Sequence, residues 1–177
     1  MYKAVAVTTT MPSTACTCGR PNNSVRSVPA NRRNVYPVAA ASLRIDVDAR
    51  LVAAGGADIG YGIGCRASDG RGYAFMIWGK DIQIGKYLGE APWYKTLWVV
   101  PVDQLGVKVE RLNRLQAVCS GGDGQKSVHL AFWVNGRGLE ITDRTDPFQV
   151  GTVGLVVGTG ADKPVEAEFD NFVVMQV

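Results

Sequence analysis

No stretch of this sequence stays apolar for anything near the ~20 residues that cross a bilayer as a helix, so no transmembrane segment is expected. Histidine occurs once, at His129, and the four cysteines fall at 16, 18, 65 and 119. Cys16 and Cys18 have C-x-C spacing with no second C-x-x-C to complete it, which argues against a structural zinc site. Charge of one sign is scarce as well. Lys and Arg together number 19 against 16 Asp and Glu, a formal net charge of +3, and the basic residues are interspersed rather than drawn into a stripe. A protein that neutralises a row of phosphates needs such a stripe, so nucleic acid is not an expected partner. Helical periodicity is missing along the whole chain.

What is present is alternation. Leu43, Ile45, Val47, Ala49 and Leu51 alternate with Arg44, Asp46, Asp48 and Arg50, the pattern of a half-buried antiparallel strand. Ile59, Tyr61, Ile63 and Cys65 then face one way while Gly60, Gly62 and Gly64 face the other. Asp69-Gly70 marks a turn, after which Tyr73, Phe75 and Ile77, then Ile82 and Ile84, resume the apolar stripe. The stretch from Gly89 to Val109, with Trp93, Tyr94, Trp98 and two prolines, has no clear period and is expected to be a long loop with at most one short strand. Strands follow at Leu115–Cys119, Val128–Val134, Leu139–Ile141, Val153–Val157 and Val165–Val174, with Asn135-Gly136 as a hairpin signal. The phase slips at Asp170-Asn171, where one extra residue fits a β-bulge. About ten short strands with turn chemistry between them predict an all-β, two-sheet antiparallel jelly-roll sandwich over residues 41–177. Residues 1–40, rich in Thr, Ser, Asn, Pro and Arg, are expected to form an irregular arm or a partial first strand.

The N-terminus is too polar after Val7 to be an export signal, since Thr8, Thr9 and Thr10 interrupt it, and Ser13-Thr-Ala-Cys16 lacks the apolar region a lipoprotein signal requires. Asn22-Asn23-Ser24 is a formal glycosylation sequon with nothing further to support it. Cys65 and Cys119 each close a predicted strand. They are either two buried free thiols or a disulfide between strands of one sandwich; the disulfide is preferred, and it implies an oxidising compartment.

The order of short motifs resembles a known fold family. Tyr61-Gly-Ile-Gly-Cys65-Arg66, Gly72-Tyr73-Ala-Phe75, Ile84-Gly-Lys86-Tyr87, Asn113-Arg-Leu115, Phe132-Trp-Val-Asn135-Gly136, Gly151-Thr-Val-Gly154-Leu155 and Phe169-Asp170-Asn171-Phe172 together resemble the concanavalin-A-like and laminin-G-like jelly rolls. They are most similar to the 3-keto-disaccharide-hydrolase-like accessory domains of bacterial surface proteins. The resemblance covers residues 42–177 and implies an extracellular or envelope setting. The fold hosts lectins, glucanases, adhesion modules and sensors, so function has to come from a site.

Three classes of site are open. For binding, the non-core face is expected to carry Trp78, Tyr87, His129 and Trp133 beside the glycine strip, with Met76 between them, and Trp93, Tyr94 and Trp98 as a lip. Aromatic rings beside side-chain-free backbone make a shallow groove for a carbohydrate. If the N-terminal arm covers that face, the same aromatics are simply core. For catalysis, Glu166, Glu168 and Asp170 alternate on one strand face and are the candidate acids of a glycoside hydrolase, against the plainer reading of a solvated strand face ending in a bulge. His129 has no recognisable nucleophile beside it, so no catalytic residue is assigned. The third class is docking to a protein partner or a larger envelope complex through the N-terminal arm. No cofactor is expected; calcium is admitted only through Asp69 and Asp123, each equally a turn residue.

Overall fold

A computed structural model describes residues 3–5, 42–54, 58–90, 93–121, 126–159 and 165–177. Cys16, Cys18, the sequon at 22–24, the turn glycines at 55–56 and Asp123 lie outside the described residues. Eleven strands run β1 (Lys3–Val5), β2 (Leu43–Ala54), β3 (Ile59–Ser68), β4 (Arg71–Trp78), β5 (Asp81–Leu88), β6 (Tyr94–Pro101), β7 (Asn113–Ser120), β8 (Val128–Val134), β9 (Arg137–Asp143), β10 (Thr152–Thr159) and β11 (Val165–Gln176), with a 3₁₀ turn at Val102–Leu105. They form a six-stranded sheet in the order β1-β10-β3-β4-β5-β6 and a five-stranded sheet in the order β11-β2-β7-β8-β9. Every pairing is antiparallel.

Alternation places the core where the sequence predicts it. Tyr61, Ile63, Phe75, Ile77, Ile82 and Ile84 from one sheet meet Ile45, Val47, Leu115, Ala117, Leu130, Phe132 and Phe169 from the other, all buried. The Phe75 and Phe132 rings sit 5.7 Å apart across the seam. Cys65 on β3 and Cys119 on β7 form a disulfide, Cα atoms 6.8 Å apart, that ties one sheet to the other. The bulge falls where the phase slips: Asp170 pairs with Asp48 and Val173 with Asp46, and Asn171 takes a left-handed φ of 53°.

The stretch read as a loop is in part a strand. β6 pairs along β5 from Tyr87–Tyr94 to Asp81–Pro101. Its period is hidden because the register jumps between Ile84–Trp98 and Gly85–Thr96, so Leu97 is an extra residue and the alternation inverts halfway. β6 is a sheet edge, where Pro101 costs no ladder hydrogen bond.

Two buried polar clusters hold the ends of the sandwich. At one, the Lys86 ammonium lies 2.7 Å from Asp143 Oδ2, with side chains only 5% and 3% exposed. It also donates to the carbonyls of Thr145 at 2.8 Å and Asp146 at 2.9 Å. Asp143 further accepts from the Tyr73 hydroxyl at 2.8 Å and the Thr145 N–H at 3.0 Å, and the same Tyr73 oxygen accepts the Phe148 N–H at 3.0 Å. Burial pushes the Asp143 carboxyl pKa up, but the hydrogen bonds from Lys86, Tyr73 and Thr145 outweigh it and hold the group below its usual value. At the other cluster, the two N–H groups of buried Asn113 are shared among three acceptors, the Tyr61 hydroxyl at 3.0 Å and the carbonyls of Lys108 at 2.9 Å and Arg111 at 2.8 Å. Its own oxygen accepts from Asn135 of the β8–β9 turn at 2.9 Å. Asn113→Ala strips that turn and the 107–112 segment of a shared partner. We expect a loss of about 2–3 kcal/mol in urea unfolding, the cost of leaving such groups unsatisfied; a loss under about 0.5 kcal/mol would contradict the shared role.

Candidate ligand-binding faces

Each sheet turns one face to the core and one outward. On the outer face of the six-stranded sheet the register aligns Gly60 with Trp78, Gly62 with Met76 and Gly64 with Ala74. Across the next pairing Met76 aligns with Gln83 and Gly85 with Thr96. The glycines make room for rings. A Cβ at Gly60 would lie 2.3 Å from Trp78 Cε3, and one at Gly158 would lie 2.8 Å from Cζ3. The indole therefore lies across the backbones of β3 and β10, and its Nε1–H is anchored on Asp58 Oδ1 at 2.6 Å. Tyr94 does the same over Gly85, where a Cβ would come within 2.2 Å of its hydroxyl oxygen. The Tyr87 ring meets Tyr94 edge-on at 5.0 Å and donates its hydroxyl to Met76 Sδ at 3.8 Å.

These side chains enclose a depression of about 180 Å³ lined by Trp78, Gln83, Tyr87, Tyr94 and Thr96. Its size suits one sugar-sized ring rather than a drug-sized ligand, whose sites run to roughly 300–1,000 Å³. The Tyr94 hydroxyl is buried there and has no hydrogen-bond partner among the described residues. Leaving such a group unpaired costs about 1–3 kcal/mol, which a ligand hydroxyl would recover. Burial first, then the nearby Tyr87, raises its pKa far above the ordinary value, so it is a neutral O–H able to donate and accept. On the same face Met76 and Ala74 are fully buried and Trp78, Gln83, Tyr87, Tyr94 and Thr96 line the depression beside them.

The seven aromatic and histidine candidates fall into three groups. Trp78, Tyr87 and Tyr94 come together at the depression. Trp93 and Trp98 are 54% and 46% exposed but lie outside its lining; the bulge sets Trp98 opposite core residue Ile84 rather than on the glycine face. Trp133 and His129 are on β8, on the outer face of the five-stranded sheet, with the whole core between them and Trp78. His129 lies 3.9 Å from Glu140. Gln83 was not singled out, although its alternation with Ile82 and Ile84 is the signal that places it on the outer face. Thr96 and Asp58 had no such signal: the bulge hides the first, and the second precedes its strand.

The acidic strand has other partners. Glu168 is 2.6 Å from Arg50 across the register, an exposed pair worth under about 1 kcal/mol. Asp170 accepts the Asn171 N–H at 2.7 Å within the bulge. Glu166, Glu168 and Asp170 thus line up along one edge strand and do not face one another across a cleft. Asp69 occupies a turn with φ 49° and accepts from the Ser68 hydroxyl at 3.0 Å. Among the described residues no group of three or more His, Cys, Asp or Glu is placed to hold a metal ion, and no helix is long and apolar enough to cross a membrane.

No protein-family model and no curated protein matches this sequence. Solved structures do match its shape. The carbohydrate-binding module CBM66 of Bacillus subtilis superposes with a TM-score of 0.54 at 14% identity, covering 78% of each chain. Sheep galectin-11, solved with glycerol, gives 0.55 at 12% identity over 84% of this chain and 100% of its own. The alginate lyase vAL-1 from a Chlorella virus gives 0.50 at 15% identity, over 79% of this chain and 73% of that one. The chain is a concanavalin-A-like jelly-roll sandwich. At these identities the likeness extends to the fold alone, which carries binding modules and a lyase alike.

Proposed function

We propose that this chain is a non-catalytic carbohydrate-binding module, exported to the cell surface or beyond, and that it binds at the outer face of the six-stranded sheet. The observation that carries the reading is the depression where the Trp78, Tyr87 and Tyr94 rings come together with a buried Tyr94 hydroxyl that has no partner among the described residues, lined also by Gln83 and Thr96. A pyranose offers the complement: an apolar C–H face to stack and hydroxyls to pair. A sugar-binding module and a galectin among the fold neighbours support the class of ligand. The Cys65–Cys119 disulfide supports an oxidising compartment. Affiliation with the bacterial 3-keto-disaccharide-hydrolase-like accessory modules belongs to the same proposal and rests on motif order.

A second reading, docking to a protein partner, is favoured by the edge strand β6, where Trp98 and Val99 are about half exposed. A glycan array run with and without calcium separates the two. Saturable binding to a defined glycan supports the module, and calcium dependence would bring Asp69 into play; a blank array shifts the function to docking. Within the first reading, Tyr94→Phe removes only the buried hydroxyl. It is expected to weaken glycan binding by roughly fivefold or more, the worth of one hydrogen bond, without lowering the melting temperature. Unchanged affinity would remove Tyr94 from the site.

A further inference from the structure

We infer that Trp133 is a second, independent carbohydrate platform on the outer face of the five-stranded sheet, so that one chain holds two glycan strands on its opposite sides. This shares the class of ligand with the reading above, but not the site. Trp133 pairs with Gln116 on β7 and with Gly138 on β9. A Cβ at Gly138 would lie 2.1 Å from Trp133 Cδ1, so the indole is folded down onto the β9 backbone. The ring is half-buried, and among the described residues its N–H has no acceptor. This is the arrangement of Trp78 over Gly60 repeated on the other sheet, except that here the indole N–H is left for a ligand.

The surroundings of the ring are polar and fixed in place. Gln116 donates to Asp46 at 3.3 Å, and Arg114 bridges Asp46 at 3.3 Å and Asp48 at 3.1 Å. Burial raises the Asp46 pKa, but hydrogen bonds from Arg44 and Gln116 with the charges of Arg44 and Arg114 bring it below the ordinary value, so the network stays ionised. An apolar helix docked here would strip the water from these charged groups and offer them no hydrogen bonds in return. A peptide strand cannot add here either, because β8 is paired on both sides and has no free backbone edge. What remains is a ligand that stacks one apolar ring face and hydrogen-bonds through its rim. A β-linked hexopyranose chain, whose equatorial substituents leave both ring faces apolar, has that chemistry.

The four tryptophans give four indole N–H resonances in a ¹⁵N-labelled protein, assigned by single Trp→Phe variants. Cellohexaose, laminarihexaose and chitohexaose are titrated in turn. The Trp133 resonance is expected to move saturably with at least one of them, both in the wild type and in Trp78→Ala. Gly138→Ala keeps the tryptophan but lifts its ring off the strand, and should weaken that response by roughly tenfold or more; the added Cβ would also lie 2.7 Å from the Phe132 carbonyl oxygen, so the melting temperature falls as well and the titration is run well below it. A Trp133 resonance that stays fixed while that of Trp78 moves would overturn the second platform and leave the first standing. Movement at Trp133 alone would support this inference and overturn the site on the six-stranded sheet. No movement at either overturns both for β-linked hexopyranoses.

Discussion

Lys86→Met is expected to lower the unfolding free energy by about 3–5 kcal/mol, because it leaves the Asp143 carboxylate buried and without its cation. A typical domain has only about 5–15 kcal/mol in total, so the loss is severe. The Lys86 ammonium joins β5 of one sheet to β9 of the other and to the carbonyls of Thr145 and Asp146, fixing the 144–151 connection between β9 and β10. The penalty comes from isolating a charge, so Lys86→Met combined with Asp143→Leu should be milder than Lys86→Met alone. Equal losses in the single and double variants would show that the cluster acts through packing. The pair also predicts a pH dependence. The folded Asp143 pKa lies below its unfolded value, so its contribution is complete above about pH 4 and disappears as pH falls through the depressed folded pKa. Wild-type stability should therefore drop in that acid range more steeply than that of the double variant.

Reducing the Cys65–Cys119 bond, or replacing both residues by Ala, is expected to cost about 2–4 kcal/mol. The cross-link spans 54 residues, and closing a loop of that length in the unfolded chain corresponds to about 4 kcal/mol at 25 °C as an entropic ceiling. Both half-cystines are buried at the seam, so the oxidised form should also resist reductant until the domain opens. Denaturation with and without reductant measures the difference directly. Coincident curves, with free-thiol labelling confirming reduction, would mean that packing alone holds the two sheets together.

The sandwich was legible because strand alternation has a period of two and most strands here bury one face. Ile45, Val47, Phe75 and Phe132 needed no further information to be placed in the core. β6 was allowed only as one short strand inside a loop, without bounds, because one extra residue at Leu97 inverts its phase and hides the period. Asp170-Asn171 was the converse: the apolar pattern runs intact on both sides, so the slip itself is visible. The candidate sites were legible one residue at a time but not as a set. Alternation says that Trp78 and Trp133 both point away from the core, yet it cannot say that they belong to different sheets, which is a matter of topology. Lys86 follows Ile82 and Ile84 in phase, and Asp143 follows Leu139 and Ile141, so each was in register with the core, but nothing local joins two residues 57 positions apart in the sequence (143 − 86).

Carbohydrate binding at the outer face of the six-stranded sheet is tested most directly by titration calorimetry of wild type and Trp78→Ala with the strongest array-positive glycan. Trp78 is not part of the central core cluster but packs over the glycines of β3 and β10, so its loss lowers the melting temperature, and both proteins are titrated well below their transitions. The predicted result is an affinity at least about tenfold weaker in the variant, about 1.4 kcal/mol of binding energy, with both proteins folded by circular dichroism. Equal affinities in two folded proteins would contradict it.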